Sequence, residues 1–331
     1  MTIKKILKLL EERHARFVLL LCHQNADADA LCSAYAFQGL LKRLAPNVIT
    51  EIGTGQGISK LSKHILEHSP ITVNTKPNIE SADAIILLDT NTIEQLGELA
   101  ETVSKSPAPV VVIDHHAAHP ETLAKAAITI IQDKVSSNCE VVYDLFRQTE
   151  TKPSLHEAEA LFLGIAFDTR HFALGSASTF ETIVELCRVG VNPQEKLPLL
   201  SMPMDISERI ARLKACKRTK VIKAKEWIIA FSQVSAYEAS AARALIDLGA
   251  HATAVAGQKN GNVEISLRCT RDFHKKTGIH LGVDIAQPLG EYLHGMGGGH
   301  AAAAGANGEG NAETTLVRCK QLFKEKLPNN E

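Results

Sequence analysis

The first half of the chain alternates short, strongly apolar runs with amphipathic stretches of helical period. The runs at 17–22, 84–88 and 110–113 have the length and composition of buried strands. The stretches at 30–44 and 157–167 place apolar residues on one helical face. This alternation predicts an α/β fold with a doubly wound, mainly parallel sheet that carries helices on both faces.

The pattern changes after Asn192, where prolines interrupt the chain and a charged helical stretch follows at 206–220. Beyond that stretch the apolar runs shorten and a glycine-rich segment occupies 295–305. The second half therefore predicts a smaller α/β domain, with strands at 227–231, 253–257 and 263–268 and a helix at 236–248.

The size of the chain supports two domains. A length of 331 residues exceeds the usual size of one hydrophobic core, and an apolar fraction of 45% is enough to fill two. We expect an N-terminal domain at 1–190, a linker helix region at 191–221 and a C-terminal domain at 222–331.

Charge and cysteine usage exclude several classes of protein. A formal net charge of −1 argues against a protein that coats nucleic acid, because such proteins neutralise many phosphates with Lys and Arg. The 7 cysteines are scattered without a Cys-X-X-Cys pair, so neither a disulfide framework nor a thiolate zinc site is expected. No apolar stretch reaches the roughly 18 residues of a membrane helix. These features predict a soluble protein of the reducing cytoplasm.

Polar residues cluster where the predicted strands of the first domain end. Because ligands of open α/β sheets bind beyond the carboxyl ends of the strands, these residues are expected to share one site. Each aspartate alone is more often a helix cap or a turn residue, so the prediction depends on the combination. The candidate ligands are His23, Asp27, Asp29, Asp89 and His115, with Asp168 added from the end of a predicted helix.

The chemistry of these side chains indicates a metal centre. Carboxylate oxygens mixed with imidazole suit manganese, magnesium or iron better than a metal that prefers thiolates, and we expect Mn²⁺, with Mg²⁺ or Co²⁺ as alternatives. Two such ions about 3.5–4 Å apart can activate a water and stabilise charge on a phosphoryl oxygen. Six candidate ligands are enough for two ions when one carboxylate bridges them. The residues therefore predict a two-metal phosphoesterase.

Four segments resemble the motifs of the DHH phosphoesterases, a family named for the triplet that stands here as Asp114-His115-His116. A His followed by Asp-X-Asp matches 23–29, an Asp that closes an apolar strand matches Asp89, and the fourth motif matches 167–172. The chain departs from the usual form of the first motif at three positions that are not ligands, Ala26, Ala28 and Cys32.

The resemblance implies a role for each residue of the site. One metal would be held by His23 and Asp27, and the other by Asp29, His115 and Asp168. The carboxylate that bridges the two would be Asp89. Outside the ligand set, Asp114 would orient a neighbouring histidine, and His116 would face the substrate phosphate as a catalytic group.

The C-terminal half resembles the substrate-binding domain associated with this family. Backbone N–H groups of a glycine run can close around an anion, and an arginine can clamp it. The alternative is that the run only packs tightly and that the arginine makes an exposed ion pair. A further arginine, Arg243, is expected to be a packing residue. The candidate substrate-binding residues are Arg268, Gly297, Gly298, Gly299 and His300.

The resemblance implies hydrolysis of short RNA or DNA oligonucleotides, linear dinucleotides or phosphoadenosine phosphate, and we favour an oligoribonuclease of the nanoRNase type. Aromatic residues make up only 5% of the chain, which argues against an extended track for long single strands. A RecJ-type exonuclease is the alternative within the class. A catalytically idle nucleotide-binding or scaffold protein is the alternative outside it. A homodimer is the default assembly.

Overall fold

The computed structural model describes residues 2–117 and 119–327, and these divide into two compact units between Met202 and Pro203. The division falls inside the predicted linker region at 191–221. The helix expected to join the domains belongs to the second unit, because its residues Ala211 and Ala215 are buried against that unit. The Oγ of Ser232 also donates to the Ala215 carbonyl at 2.7 Å.

Five strands of the described first unit form one parallel sheet in the order β2-β1-β3-β4-β5. In β1, Leu20 lies opposite Ile86 of β3 and opposite Ile52 of β2. The predicted parallel α/β fold is confirmed. The strands are β1 (Phe17–Cys22), β2 (Ile49–Gly53), β3 (Ala84–Leu88), β4 (Val110–Asp114) and β5 (Ile128–Ile131).

Helices cover both faces of this sheet. Successive side chains of β1 point to opposite faces, so Val18 and Leu20 join one apolar core while Leu19 and Leu21 join the other. The helices are α1 (Ile3–Glu12), α2 (Ala28–Leu44), α3 (Lys60–Leu66), α4 (Ala100–Lys105), α5 (Pro120–Lys125), α6 (Asn138–Gln148), α7 (Leu155–Asp168), α8 (Ala177–Val189) and α9 (Pro193–Lys196).

The second unit contains a mixed six-stranded sheet in the order β10-β11-β9-β8-β7-β6 within its described residues. Its strands are β6 (Lys220–Ala224), β7 (Trp227–Val234), β8 (Ala252–Lys259), β9 (Asn262–Cys269), β10 (Met296–His300) and β11 (Ala303–Glu309). Its helices are α10 (Ile206–Arg218), α11 (Glu238–Asp247), α12 (Arg271–Thr277), α13 (Gln287–Tyr292) and α14 (Ala312–Lys326).

The two faces of this second sheet have separate cores. On one face, Ala241 and Leu245 of α11 pack with Val255 of β8. On the other, Phe273 of α12 and Phe323 of α14 pack with the core-facing residues of β9. Among the residues that the structure describes, no helix combines the length and apolar character needed to cross a bilayer.

A partly buried ion pair ties α7 to α2 in the first unit. The Arg43 guanidinium donates to both carboxylate oxygens of Glu157, at 3.0 and 2.5 Å. The Glu157 side chain is 7% exposed and that of Arg43 38% exposed. The same carboxylate accepts from the backbone N–H of Ser154 and closes the capping box that begins α7. The pair therefore fixes the approach of the two helices.

Because the two partners differ in burial, we expect their removal to have unequal effects on the free energy of unfolding. The variant Arg43→Met leaves a buried carboxylate unpaired and should cost about 2–4 kcal/mol. The variant Glu157→Gln leaves a partly exposed guanidinium and should cost only about 1–2 kcal/mol. Urea denaturation of the two variants and the double variant measures the difference. Equal losses, or a larger loss for Glu157→Gln, would contradict this account.

Candidate metal centre

The carboxyl ends of three neighbouring parallel strands deliver polar side chains to one edge of the first sheet. His23 directly follows β1, Asp89 directly follows β3 and His115 directly follows β4. Asp27 and Asp29 stand at the start of α2, and Asp168 is the last residue of α7. The fold thus brings all six predicted ligands to this edge.

The six side chains form two groups that share a border. The donor atoms of His23, Asp27 and Asp89 lie within 4.8 Å of one another, and so do those of Asp29, His115 and Asp168. The groups meet where His115 Nε2 lies 3.4 Å from Asp89 Oδ1. Asp89 also lies within 4.8 Å of donor atoms of Asp114, His115 and His116, so it stands at the border of the two groups.

The two candidate imidazole ligands, His23 and His115, each lie beside carboxylates. The Nδ1 of His23 donates to the Gln24 carbonyl at 2.8 Å, and its Nε2 lies 3.7 Å from Asp27 Oδ1. A backbone acceptor on one ring nitrogen commonly fixes a histidine as a metal ligand through the other. The Nε2 of His115 stands between two carboxylates, 3.3 Å from Asp168 Oδ2 and 3.4 Å from Asp89 Oδ1.

The Asp29 carboxylate is fully buried and is held by the first amides of α6. Its Oδ2 accepts from the N–H of Asn138 at 2.5 Å and its Oδ1 from that of Cys139 at 3.0 Å. Burial, and then the neighbouring charges of Asp89 and Asp168, raise the pKa of Asp29 well above its usual range. Burial likewise raises the pKa of Asp89. The fold therefore buries like charges together.

Several buried polar atoms here have no hydrogen-bond partner within the described part of the chain. They are Asp89 Oδ1, His115 Nε2 and Asp114 Oδ2. Burying an unpartnered polar atom is costly, and an anionic one more so. Oxygen and imidazole donors that converge in this way suit divalent cations such as Mn²⁺ and Mg²⁺. The residues therefore fit a metal site.

The carboxylates also hold protons on the histidines. Burial lowers the pKa of His115, but its contacts with Asp168 and Asp89 outweigh burial and raise that pKa to about 11. Burial also lowers the pKa of His23. Its contact with Asp27 and its hydrogen bond to the Gln24 carbonyl outweigh burial and raise that pKa to about 9. The site attracts positive charge, whether protons or cations.

Asp114 and His116 lie beside the six candidate ligands. The fully buried Asp114 accepts through Oδ1 from the backbone N–H and the ring Nδ1 of His116, both at 2.8 Å. This leaves the Nε2 of the half-exposed His116 ring available to a ligand. Both Asp89 and His116 line a cavity of about 300 Å³ that Gln24 and Gln95 also line.

Asn138 is a site residue that the sequence analysis missed. With its amide oriented to satisfy its neighbours, it donates to the Ile113 carbonyl at 3.1 Å and accepts from Asp89 N–H at 3.1 Å and from Ser33 Oγ at 2.9 Å. It thus joins β4, the Asp89 backbone and α2. Its signal in the sequence, the Ser-Asn-Cys-Glu start of a helix, is indistinguishable from an ordinary cap.

The glycine run of the second unit forms an edge hairpin, with Gly298 of β10 opposite Gly305 of β11. Successive N–H groups of a strand point alternately to its two edges, so they do not converge on one centre as predicted. A Cβ at Gly297 would strike the Ala286 carbonyl, and one at Gly299 would strike β11. Only Gly298 faces open space. Two of the three glycines therefore serve close packing.

The remaining predicted clamp residues lie on neighbouring strands. Arg268 of β9 is opposite Ala303 of β11, which in turn is opposite His300 of β10. The Nη1 of Arg268 donates to the Leu267 carbonyl at 2.8 Å. Arg268 lines one groove of this unit together with Gly297, Gly298 and Gly299, whereas His300 is not among the lining residues, so the fold brings most of the predicted clamp together.

Fold and donor set together define an α/β protein with a carboxylate–imidazole metal site. The sequence profile of the DHH family, N-terminal domain, matches residues 17–165. An uncharacterized protein from Methanocaldococcus jannaschii is 33% identical over 303 residues, which cover 91% of this chain and 90% of that protein. The chain belongs to the DHH family.

More distant relatives carry names that state an activity. The cyclic-di-AMP phosphodiesterase PdeA of Listeria monocytogenes is 25% identical over 190 residues, 53% of this chain and 28% of that protein. A probable manganese-dependent inorganic pyrophosphatase of Streptococcus equi subsp. zooepidemicus is 28% identical over 157 residues, 46% of this chain and 48% of that protein. The matched regions therefore span half or less of these two relatives.

A solved structure shares the fold of the whole chain. The exopolyphosphatase-related protein from Bacteroides fragilis matches with a TM-score of 0.61 and 21% identity, and the match covers 98% of this chain and 96% of that one. At this level of identity the likeness supports the architecture alone.

The variant Asp89→Asn should separate stability from metal binding. Because burial raises the pKa of Asp89, ionising it at neutral pH costs stability, and a neutral isostere removes that cost. We expect the metal-free variant to melt about 2–4 °C higher than the wild type. We expect Mn²⁺ to raise the melting temperature of the wild type much more than that of the variant.

Thermal unfolding of EDTA-treated protein, with and without added Mn²⁺, measures both effects. Glu159→Gln, which removes a carboxylate that pairs with Lys196 on the same unit, is the matched control and should keep the full Mn²⁺ response. A full Mn²⁺ response in Asp89→Asn would count against Asp89 as a ligand.

Proposed function

We propose that this DHH-family phosphoesterase hydrolyses short oligonucleotides or small nucleotides with the help of two divalent cations, Mn²⁺ above all. The observation that carries the proposal is the pair of donor groups that meet at Asp89, each within 4.8 Å. The activities of the named relatives, a cyclic-di-AMP phosphodiesterase and a probable manganese-dependent pyrophosphatase, support hydrolysis at phosphorus.

In this proposal His23, Asp27 and Asp89 would hold one cation, and Asp89, Asp29, His115 and Asp168 would hold the other. When bound, such a pair supplies an activated water and neutralises charge that develops on the phosphoryl oxygens. The amides of α6 keep Asp29 in place for this task. Asn138 fixes the backbone of Asp89, whose φ of 53° lies in the left-handed region.

His116 is the group that we assign to the substrate. Asp114 holds its Nδ1, so that Nε2 can donate a hydrogen bond or a proton to a phosphate or leaving oxygen in the cavity. The Asp114 hydrogen bond raises the pKa of His116 and so favours the protonated ring. Asp114 acts through His116 and is a positioning residue.

The size of the cavity and the names of the relatives support small nucleotide substrates. A volume of about 300 Å³ at the site can accept a phosphate with part of a nucleoside. Linear dinucleotides, two- to five-residue RNA and phosphoadenosine phosphate therefore fit the proposal best. A RecJ-type exonuclease would need a longer binding track.

We expect purified protein with Mn²⁺ to release mononucleotides from labelled RNA of two to five residues and from linear dinucleotides. Parallel reactions contain a long single strand, cyclic-di-AMP, phosphoadenosine phosphate and pyrophosphate. Faster cleavage of the long strand would favour the RecJ-type alternative. Metal binding without turnover of any phosphoester would support the idle nucleotide-binding protein and would end the enzymatic proposal.

Two variants should distinguish a ligand from a substrate-facing residue. We expect Asp168→Asn to lose both bound Mn²⁺ and activity. We expect His116→Asn to retain bound Mn²⁺ while its kcat falls roughly 10²- to 10⁴-fold, the usual contribution of a general acid. Elemental analysis of the dialysed variants and steady-state kinetics give the two readouts. Loss of metal in His116→Asn would place that residue among the ligands instead.

A further inference from the structure

The end of α3 and the residue that follows it carry two histidines and a glutamate, which we call the α3 cluster. His64 lies within the helix, Glu67 is its C-terminal cap residue and His68 comes directly after the cap. One donor atom of each side chain lies within 4.8 Å of the donor atoms of the other two. The α3 cluster shares no residue with the candidate metal centre.

The helical backbone produces this convergence. Residues three and four apart on a helix are neighbours on one face, so Glu67 and His68 both lie beside His64. The N–H of His68 donates to the Ile65 carbonyl at 3.0 Å, which continues the helical turn beyond the cap. The last turn of a helix also favours positive charge, because its free carbonyl groups point outward there.

The distances in the α3 cluster suit a tetrahedral ion. Ligands about 2.0–2.1 Å from a tetrahedral Zn²⁺ lie roughly 3.3 Å from one another. The Nδ1 of His64 lies 3.6 Å from Oε2 of Glu67, and the ring centroids of His64 and His68 are 5.1 Å apart. Exposed side chains such as His68 change rotamer readily, so small movements bring the three donors onto one ion.

No internal hydrogen bond explains why these side chains converge. In the described part of the chain, none of the three makes a side-chain hydrogen bond; their contacts are the His64–Glu67 ion pair and the His64–His68 ring contact. The Glu67 side chain is 71% exposed, and an exposed ion pair contributes little to stability. The lone pairs of the α3 cluster therefore remain available to a ligand.

The donor set selects the kind of ion. Imidazole suits Zn²⁺, Cu²⁺ and Ni²⁺, whereas carboxylate oxygens suit Mn²⁺ and Mg²⁺. The α3 cluster has two imidazoles and one carboxylate, whereas the candidate metal centre has two imidazoles and four carboxylates. The two places are therefore expected to prefer different ions.

We propose that the α3 cluster binds one Zn²⁺ ion in addition to the cations of the metal centre, with His64, Glu67 and His68 as protein ligands and water in the fourth position. Two histidines and a glutamate form a known ligand set for zinc that keeps one position open. The proposal goes beyond the proposed hydrolysis and does not depend on it.

An ion at this place stabilises a short helix. With 7 residues, α3 is shorter than the roughly 12 that an isolated helix needs. Its other end is bonded to the metal centre, because Ser59 N–H donates to the Ala26 carbonyl at 3.0 Å. Ala26 lies between the candidate ligands His23 and Asp27. Zn²⁺ that binds only the folded turn therefore stabilises the helix that supports this segment.

Equilibrium dialysis of the full chain against Zn²⁺, followed by elemental analysis, tests the site. We expect His68→Ala to bind one Zn²⁺ per chain fewer than the wild type, because only a histidine and a glutamate remain. The matched control is His156→Ala, which removes the histidine of a pair with Glu159 at the same spacing as His64 and Glu67. This control should bind as much Zn²⁺ as the wild type.

Equal Zn²⁺ content in His68→Ala and the wild type would overturn the proposal. An equal loss in His156→Ala would do the same, since it would indicate general binding by surface histidines. We expect Glu67→Gln to weaken Zn²⁺ roughly tenfold or more, as the loss of one charged interaction predicts, and unchanged affinity would overturn the three-ligand assignment. Only differences between chains are used, so ions at the metal centre cancel.

Hydrogen exchange provides a local readout of the same site. We expect Zn²⁺ to slow amide exchange along α3 in the wild type and in His156→Ala, but not in His68→Ala. Slowing of equal size in all three chains would place the effect at the metal centre and contradict the assignment to α3. Neither experiment measures turnover, so failure here is distinct from absent hydrolysis with Mn²⁺, which would reject the proposed function.

Discussion

The mutual repulsion of buried carboxylates is the constraint around which the first unit is organised. Asp29, Asp89 and Asp114 are almost fully buried at one sheet edge, where burial itself raises the pKa of Asp29 and Asp89. A fold can tolerate such charges only when positive charge, or hydrogen-bond donors, lie beside them. Protonated histidines and the amides of α6 are two such sources at this site, and bound divalent cations would be a third.

The parallel sheet places the candidate ligands together at one of its edges. Parallel strands end at one edge, so three residues that follow β1, β3 and β4 meet there although the sequence separates them widely. The ends of α2 and α7 complete the set, and the Arg43–Glu157 pair holds these two helices together. The apolar alternation that builds the sheet thus also positions the candidate ligands.

Much of this could be predicted from the sequence, because apolar strands followed directly by Asp or His are local patterns. His23, Asp89 and His115 are of this kind, whereas Asp27 and Asp29 begin a helix and Asp168 ends one. Asn138 could not be predicted, since its partners Ile113, Asp89 and Ser33 come from three other segments. The glycine run was predicted as an anion cradle, but its hairpin pairing depends on β9 and β11.

The central claim is that the two donor groups beside Asp89 hold two cations. Crystals grown with Mn²⁺ and measured at the manganese absorption edge test it most directly. The account predicts two anomalous peaks about 3.5–4 Å apart, with an oxygen of Asp89 between them. A single peak, or peaks that Asp89 does not contact, would contradict it.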